Sequence, residues 1–311
     1  MKGCLMQLHG IRFALLFFSL MSPLLLHAES KDILFIRHGQ SSHNLMMAKK
    51  RKLQKLKSVI FSRKKIKDAN LTQNGILEAL RLRSYLSESL SSEDPKLKFV
   101  AETMLDPRDD VLVLSSNLRR AVNTGLLVLY GDDRDKDLSL KSQQPIYPIY
   151  VSSLLQEWGV PKAIPDVKPY SKSFFQKGQL INESLQSSLG SFAGQLQNFL
   201  KIFPNDRDIS PEGHLRRGEG NTKPLKEKYV DFLDNIVFGT QSNEALQLTK
   251  KQTFIVFGHG RWLKGFVNFI KTEYQPKLGI VPNGSLTHLR VKKQGDGSYR
   301  LVSQEFYQAL N

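Results

Sequence analysis

Cysteine is nearly missing from this 311-residue chain, with Cys4 the only one. It precedes an N-terminal apolar stretch, the wrong place for lipid attachment after cleavage. Residues 1–28 are expected to be a secretory signal. Lys2 and Arg12 supply the positive start, Phe13 to Leu26 the apolar segment and Ala28 the small residue at the cut. An uncleaved N-terminal anchor is the alternative; the segment is short for a spanning helix and is interrupted by Ser19, Ser22 and Pro23. The exported chain, periplasmic or secreted, would then hold no cysteine and would rely on its core rather than on disulfides. A chain of about 280 residues buries roughly three quarters of its surface, which is enough for that.

Acidic residues are also scarce: 29 Asp and Glu stand against 45 Lys and Arg, a formal net charge of +16. The imbalance is concentrated between Lys49 and Lys67, which hold ten basic residues and no acid. Leu53, Leu56 and Ile60 fall there at helical spacing, so the segment is a candidate basic amphipathic helix. It would suit an anionic membrane surface or an acidic substrate; it would equally serve as a solvated surface insertion. Aromatic residues are not interleaved with the charge, so no nucleic-acid partner is expected. Internal repeats are absent.

Two segments stand out among what is present. Ile33-Leu-Phe-Ile-Arg37-His38-Gly39 and Phe254-Ile-Val-Phe-Gly258-His259-Gly260 are each an apolar, partly β-branched run that stops at His-Gly. Such runs read as buried parallel strands. Open α/β sheets bind ligands at the carboxyl ends of such strands. A glycine after the histidine permits a sharp turn and close approach of a ligand to the backbone. Residues 29 to 311 hold five histidines, and a single strand-ending histidine is commonly a satisfied polar group. Two in one unusual context, with Arg37 beside the first, suggest a site for an anionic group.

Around them the chain alternates. A strand over 32–37 precedes a helix from Ser41, and a helix begun near Leu71 ends at Ser84 to Leu90. Val111 to Ser115 is a strand, Leu118 to Tyr130 a helix and Pro145 to Val151 a short strand. Residues 159–224 are rich in Gly, Pro and Ser, with one helical stretch around Leu185 to Phe203; so long a segment more plausibly covers a site than floats free. Tyr229 to Phe238 and Arg261 to Lys271 read as helices, and Ser285 to Val291 and Tyr299 to Phe306 as a hairpin across Gly295-Asp296-Gly297. The pattern predicts one α/β domain over 29–311, a three-layer αβα arrangement with a mainly parallel sheet.

Ser115-Ser116-Asn117-Leu118-Arg119-Arg120-Ala121 opens the helix after the second strand. Ser or Asn there can cap the helix and leave its first N–H groups to an anion, with Arg120 near the sheet end that carries His38. A surface Arg-Arg pair is the plainer alternative. In Leu155-Gln156-Glu157-Trp158, Glu157 beside an aromatic is a candidate general acid or else a surface charge.

Arg37-His38-Gly39-Gln40-Ser41 with Asn44 resembles the signature of the histidine phosphatase superfamily, in its phosphoglycerate-mutase-like branch. Leu71-Thr72-x-x-Gly75, Ser116-x-Leu118-x-Arg120-Ala121-x-x-Thr124, Leu155-x-Glu157, Gly258-His259-Gly260 and Asn283-Gly284-Ser285 resemble its further motifs, in order over residues 31–306. The resemblance implies a phosphoglycerate-mutase-like fold and a phosphatase in which His38 becomes a phosphohistidine. It implies that Arg37, Asn44, Arg120, His259 and Gly260 hold phosphate and that Glu157 serves as acid and base. No cofactor or metal is implied, and no spacing of His, Cys and carboxylates suggests one. Gln40 stands where many relatives carry Glu, and His43 where the mutase branch often has an aromatic. The residues after Glu157 depart from the mutase loop. Glu212 and Glu219 are the next acid candidates, in a loop whose His214, Arg216 and Arg217 are either substrate contacts or an exposed turn.

The expected activity is therefore hydrolysis of a phosphomonoester, on a phosphorylated small molecule or a phosphoprotein. The alternatives are a non-catalytic phosphate-ligand or membrane-surface binding protein and a mutase-type phosphotransferase.

Overall fold

The computed structural model describes residues 29–45, 48, 69–131, 147–156, 200–204, 224–239, 246–270 and 278–309. The expected signal segment, the basic segment 49–67 and nearly all of 159–224 lie outside them, as do Glu157, Glu212, Glu219, His214, Arg216 and Arg217. Among the described residues no helix is long and apolar enough to cross a membrane.

Seven strands form one sheet: β1 (Ser30–Arg37), β2 (Val111–Ser116), β3 (Ile149–Ser152), β4 (Leu200–Ile202), β5 (Thr253–Gly258), β6 (Leu286–Lys293) and β7 (Tyr299–Tyr307). Their spatial order is β4-β3-β2-β5-β1-β6-β7. The first five in that order are mutually parallel, and β6 and β7 run antiparallel as a hairpin along β1. The helices are α1 (Gln73–Ser89), α2 (Pro95–Leu105), α3 (Arg119–Tyr130), α4 (Leu225–Phe232, continued by a π turn at Leu233–Val237) and α5 (Gly260–Ile270).

The strands are apolar on both faces because both are covered. Leu34, Ile36, Val113, Ile149, Ile255 and Phe257 share one core with residues of α1, α2 and α3 such as Ile76, Val100 and Leu126. The alternate residues Ile33, Phe35, Leu112, Leu114, Phe254 and Val256 share a second core with Tyr229 and Phe232 of α4 and Trp262 and Phe266 of α5. Alternation at period two thus divides each strand between two cores, giving the expected three αβα layers. In the second core Trp262 stacks on Phe35 at 5.6 Å and on Phe266 at 5.0 Å between ring centroids.

Two local expectations are corrected, and one helix is added. The end of the helical stretch expected around Leu185 to Phe203 is strand β4, which pairs parallel with β3; the rest of that stretch lies outside the described residues. Helix α2 was not foreseen, although Asp94-Pro95 is a start signal: the Asp94 side chain accepts from Lys96 N–H at 2.9 Å. At the start of α3, Leu118 is the N-cap and no side chain caps the helix. Ser116 Oγ instead receives a weak bond from Leu118 N–H at 3.4 Å, and it is turned toward His259.

Candidate active site

Strands β2, β5 and β1 lie side by side and parallel, so their carboxyl ends converge. His38 follows β1, His259 follows β5, and Arg120 lies in the first turn of α3 beyond β2. This is the crevice where a parallel sheet holds ligands. All three side chains are buried, at 3%, 0% and 1% exposure.

The hydrogen bonds assign the tautomer of His38. Its Nδ1 lies 2.6 Å from Gly39 O, which can only accept, so Nδ1 carries the proton. Arg120 Nε–H donates to His38 Nε2 at 3.2 Å, so Nε2 presents a lone pair. Burial, then the Arg120 guanidinium, push the His38 pKa well below the ordinary histidine value; Arg37 and His43 add to this, and the Gly39 bond opposes it. The ring of His259 meets that of His38 edge-on, with centroids 5.0 Å apart. Burial, followed by Arg120, His38, Arg37 and His43, likewise depresses the His259 pKa. The cluster therefore combines two arginine cations with two neutral imidazoles.

Backbone bonds place these groups. His38 N–H donates to Gly258 O at 3.0 Å, joining the two His-Gly turns. Arg37 N–H donates to Ser285 O and Gly284 N–H to Arg37 O, so the Asn283-Gly284-Ser285 loop fixes the end of β1. The Arg37 guanidinium donates to Val281 O from the same loop. A Cβ on Gly260 would come within 2.9 Å of Arg37 Cδ, which accounts for a glycine after His259. A Cβ on Gly39 would sit 2.3 Å from Gly75 O, and one on Gly75 2.0 Å from Gln40 O. This close approach lets the N-terminus of α1 press against the His38 turn.

Of the residues anticipated from sequence, Arg37, His38, Arg120, His259 and Gly260 are brought together. Asn44 lies on the short helical turn after the His38 loop, and its side-chain carbonyl accepts from Ser41 N–H at 3.0 Å and Ser41 Oγ at 2.8 Å. The structure ties it to Ser41, which leaves its amide nitrogen as the donor it can offer. Glu157 lies outside the described residues. Gln156, just before it, is buried and accepts from Asn117 Nδ2 at 3.4 Å, so the two loops meet at this end of the sheet.

Three residues take supporting roles that the sequence did not assign to them. Ser116 Oγ is 2.9 Å from His259 Nε2. Thr124 Oγ1 accepts from Gly39 N–H at 3.0 Å and donates to Arg120 O at 2.7 Å, linking the His38 turn to α3. Both belong to the second motif noted above, and that was the available signal. Glu78 accepts from Gln40 N–H at 2.6 Å. Its position three residues after Gly75, hence on the same helix face, was the only hint.

No protein-family model matches the chain, and no curated protein matches it. Solved structures do. One is an ecdysone phosphate phosphatase from Bombyx mori in complex with tungstate, at 14% identity, covering 90% of this chain and 95% of that one with a TM-score of 0.41. Another is a phosphoserine phosphatase from Entamoeba histolytica in complex with 3-phosphoglyceric acid, at 16% identity, 90% and 99% coverage and a TM-score of 0.38. A third is a phosphoglycerate mutase from Bacillus anthracis, at 15% identity, 89% and 93% coverage and a TM-score of 0.38. Likeness at these scores leaves the chemistry to be read from this chain's own geometry.

Proposed function

We propose that this chain is a histidine phosphatase, an exported enzyme that hydrolyses a phosphomonoester through a phosphohistidine on His38. The observation that carries the proposal is the hydrogen bonding of the His38 ring, which assigns its tautomer. A buried imidazole with its Nδ1 proton committed to Gly39 O, and its Nε2 lone pair exposed to a guanidinium, is prepared to attack an electrophile that the same guanidinium holds.

In the first step the Nε2 lone pair forms the P–N bond as the ester P–O bond breaks in line. The leaving oxygen takes a proton from Glu157, the assigned acid. In the second step a water gives its proton to the Glu157 carboxylate and its oxygen to phosphorus, and the P–N electrons return to Nε2. Ester and water become alcohol and phosphate, with His38 and Glu157 restored. Arg37, Arg120, His259 and the Asn44 amide hold the non-bridging oxygens and stabilise the charge that develops there. Both arginines can bind phosphate through paired N–H donors. The substrate is a phosphorylated small molecule or phosphoprotein, with the Lys49–Lys67 segment assigned to an anionic surface. The first 28 residues, as an export signal, favour hydrolysis over a mutase that works on cytosolic metabolites.

The test is phosphate release from an aryl phosphate without added metal. Turnover is expected from the intact chain, and His38→Ala should lower kcat by roughly 10³-fold or more. A folded His38→Ala variant with undiminished turnover would refute the proposal.

A further inference from the structure

Beside the phosphate site stands one carboxylate that the reaction does not use. Glu78, on the second turn of α1, is half-buried, and its Oε2 accepts the backbone N–H of Gln40 at 2.6 Å. Gln40 is two residues from His38, and it is also held by Thr72: Thr72 N–H donates to Gln40 O at 2.9 Å and Thr72 Oγ1 to Gln40 Oε1 at 3.0 Å. On its other side Glu78 meets the loop that holds Arg37, since a Cβ on Gly284 would come within 3.0 Å of Glu78 Cβ. Glu78 therefore touches both the turn after the nucleophile and the loop bonded to the end of β1.

We infer that Glu78 is a positioning residue of this site, pinning the His38–Gln40 turn while its negative charge offsets Arg37, so that it limits how tightly the site grips a tetrahedral dianion. The inference rests on the proposed phosphate site. The cations whose charge acts on the Glu78 carboxyl are Arg37 from β1 and Arg81 from its own helix, and the 278–285 loop carries no ionisable side chain. Burial raises the Glu78 carboxyl above its usual range, while the Gln40 bond, Arg37 and Arg81 work in the opposite direction. Above that pKa the carboxylate is ionised and opposes anion binding. Below it the proton removes the charge, and anion binding strengthens. By linkage, a bound dianion raises the Glu78 pKa in turn.

Sulfate is the suitable probe, because it stays a dianion over the whole range in which carboxylates and histidines titrate. In the full chain, Glu78→Gln retains a side-chain oxygen to accept from Gln40 N–H and loses only the charge. At pH 7 it is expected to bind sulfate about threefold to tenfold more tightly than the natural chain, the scale of one partly screened charge. The gap should close as pH falls through the Glu78 titration. Protonation of His38 and His259 strengthens binding in both proteins and cancels in the comparison. Glu78→Ala loses both the charge and the bond to Gln40 N–H, so it should bind sulfate less tightly than Glu78→Gln, and an Ala variant equal to the Gln variant would remove the positioning part of the inference. Equal affinity at pH 7, or a gap that does not change with pH, overturns the inference and leaves the phosphate site standing. No sulfate binding by the natural chain at any pH overturns the site itself.

Discussion

Two clusters among the described residues set a histidine beside an arginine, with opposite results. At the carboxyl ends of the strands His38 faces Arg120, and burial with that cation keeps the ring neutral and its lone pair available. On β6 both His288 and Arg290 instead face a carboxylate. His288 Nε2 lies 2.7 Å from Asp32 Oδ1, and Arg290 binds both Asp32 oxygens at 2.9 and 3.0 Å. Burial pushes the Asp32 carboxyl up, but the bonds and charges from His288 and Arg290 outweigh it and hold the pKa low. The second cluster is an internally balanced tie between β1 and β6. In the first, His38 faces a cation rather than a carboxylate. What separates a reactive histidine from a structural one here is the charge across from it.

The contrast is most sharply broken at Arg120. Arg120→Ala should lower kcat/KM for an aryl phosphate roughly 10²- to 10³-fold, as losing a donor to developing negative charge does. Arg120→Lys should recover little, because a point charge cannot replace a guanidinium that bonds His38 and is proposed to hold phosphate as well. Asp32→Asn should leave turnover unchanged. A parallel loss of activity in both variants would erase the distinction between the clusters.

Stability should show the reverse ordering. Asp32→Asn removes the charge shared by His288 and Arg290 and should cost roughly 1–3 kcal/mol in urea unfolding. An unaltered urea midpoint would mean that the tie contributes nothing.

The remaining expected effect is a slope, absent at neutral pH and growing only in acid. His38 and His259 are held neutral in the folded chain, with pKa values below that of an unfolded histidine. Below about pH 6.5 the unfolded chain therefore takes up protons that the folded chain does not, and stability falls as pH drops. Each histidine adds roughly 1.4 kcal/mol per pH unit once well below that value and nothing above it. Urea unfolding of His259→Gln between pH 5 and pH 8 should show a flatter acid limb by one proton's worth. An identical limb in the variant would show that His259 is not held neutral by the fold.

Much of this was legible because the signals are local. The runs ending at Arg37 and Gly258 are apolar because both faces of their strands are covered, and that makes a strand visible as an unbroken run. Thr72 and Gly75 announced the start of α1, and the hairpin turn at Gly295-Asp296-Gly297 was plain from its glycines, Gly297 having φ +80°. Strand β4 was hidden because three residues are too few to show alternation, and the preceding periodicity resembled a helix. The absent side-chain cap on α3 was hidden because Ser116 is drawn to His259, which lies 143 residues away.

The sequence by itself determined the alternation of strands and helices, the two histidines at strand ends and the arginines near them. Each follows from residues within a few positions of one another, where backbone geometry and apolar periodicity act. Only the tertiary structure decided that Arg120 meets Nε2 of His38, that Thr124 joins Gly39 to Arg120, and that Glu78 closes on Gln40. The contacts to His38, Gly39 and Gln40 span 38 to 85 residues of chain, and the strand order, with β5 between β1 and β2, sets the start of α3 beside His38. Proton location and local charge are properties of neighbours in space, and no local pattern encodes which neighbours those will be.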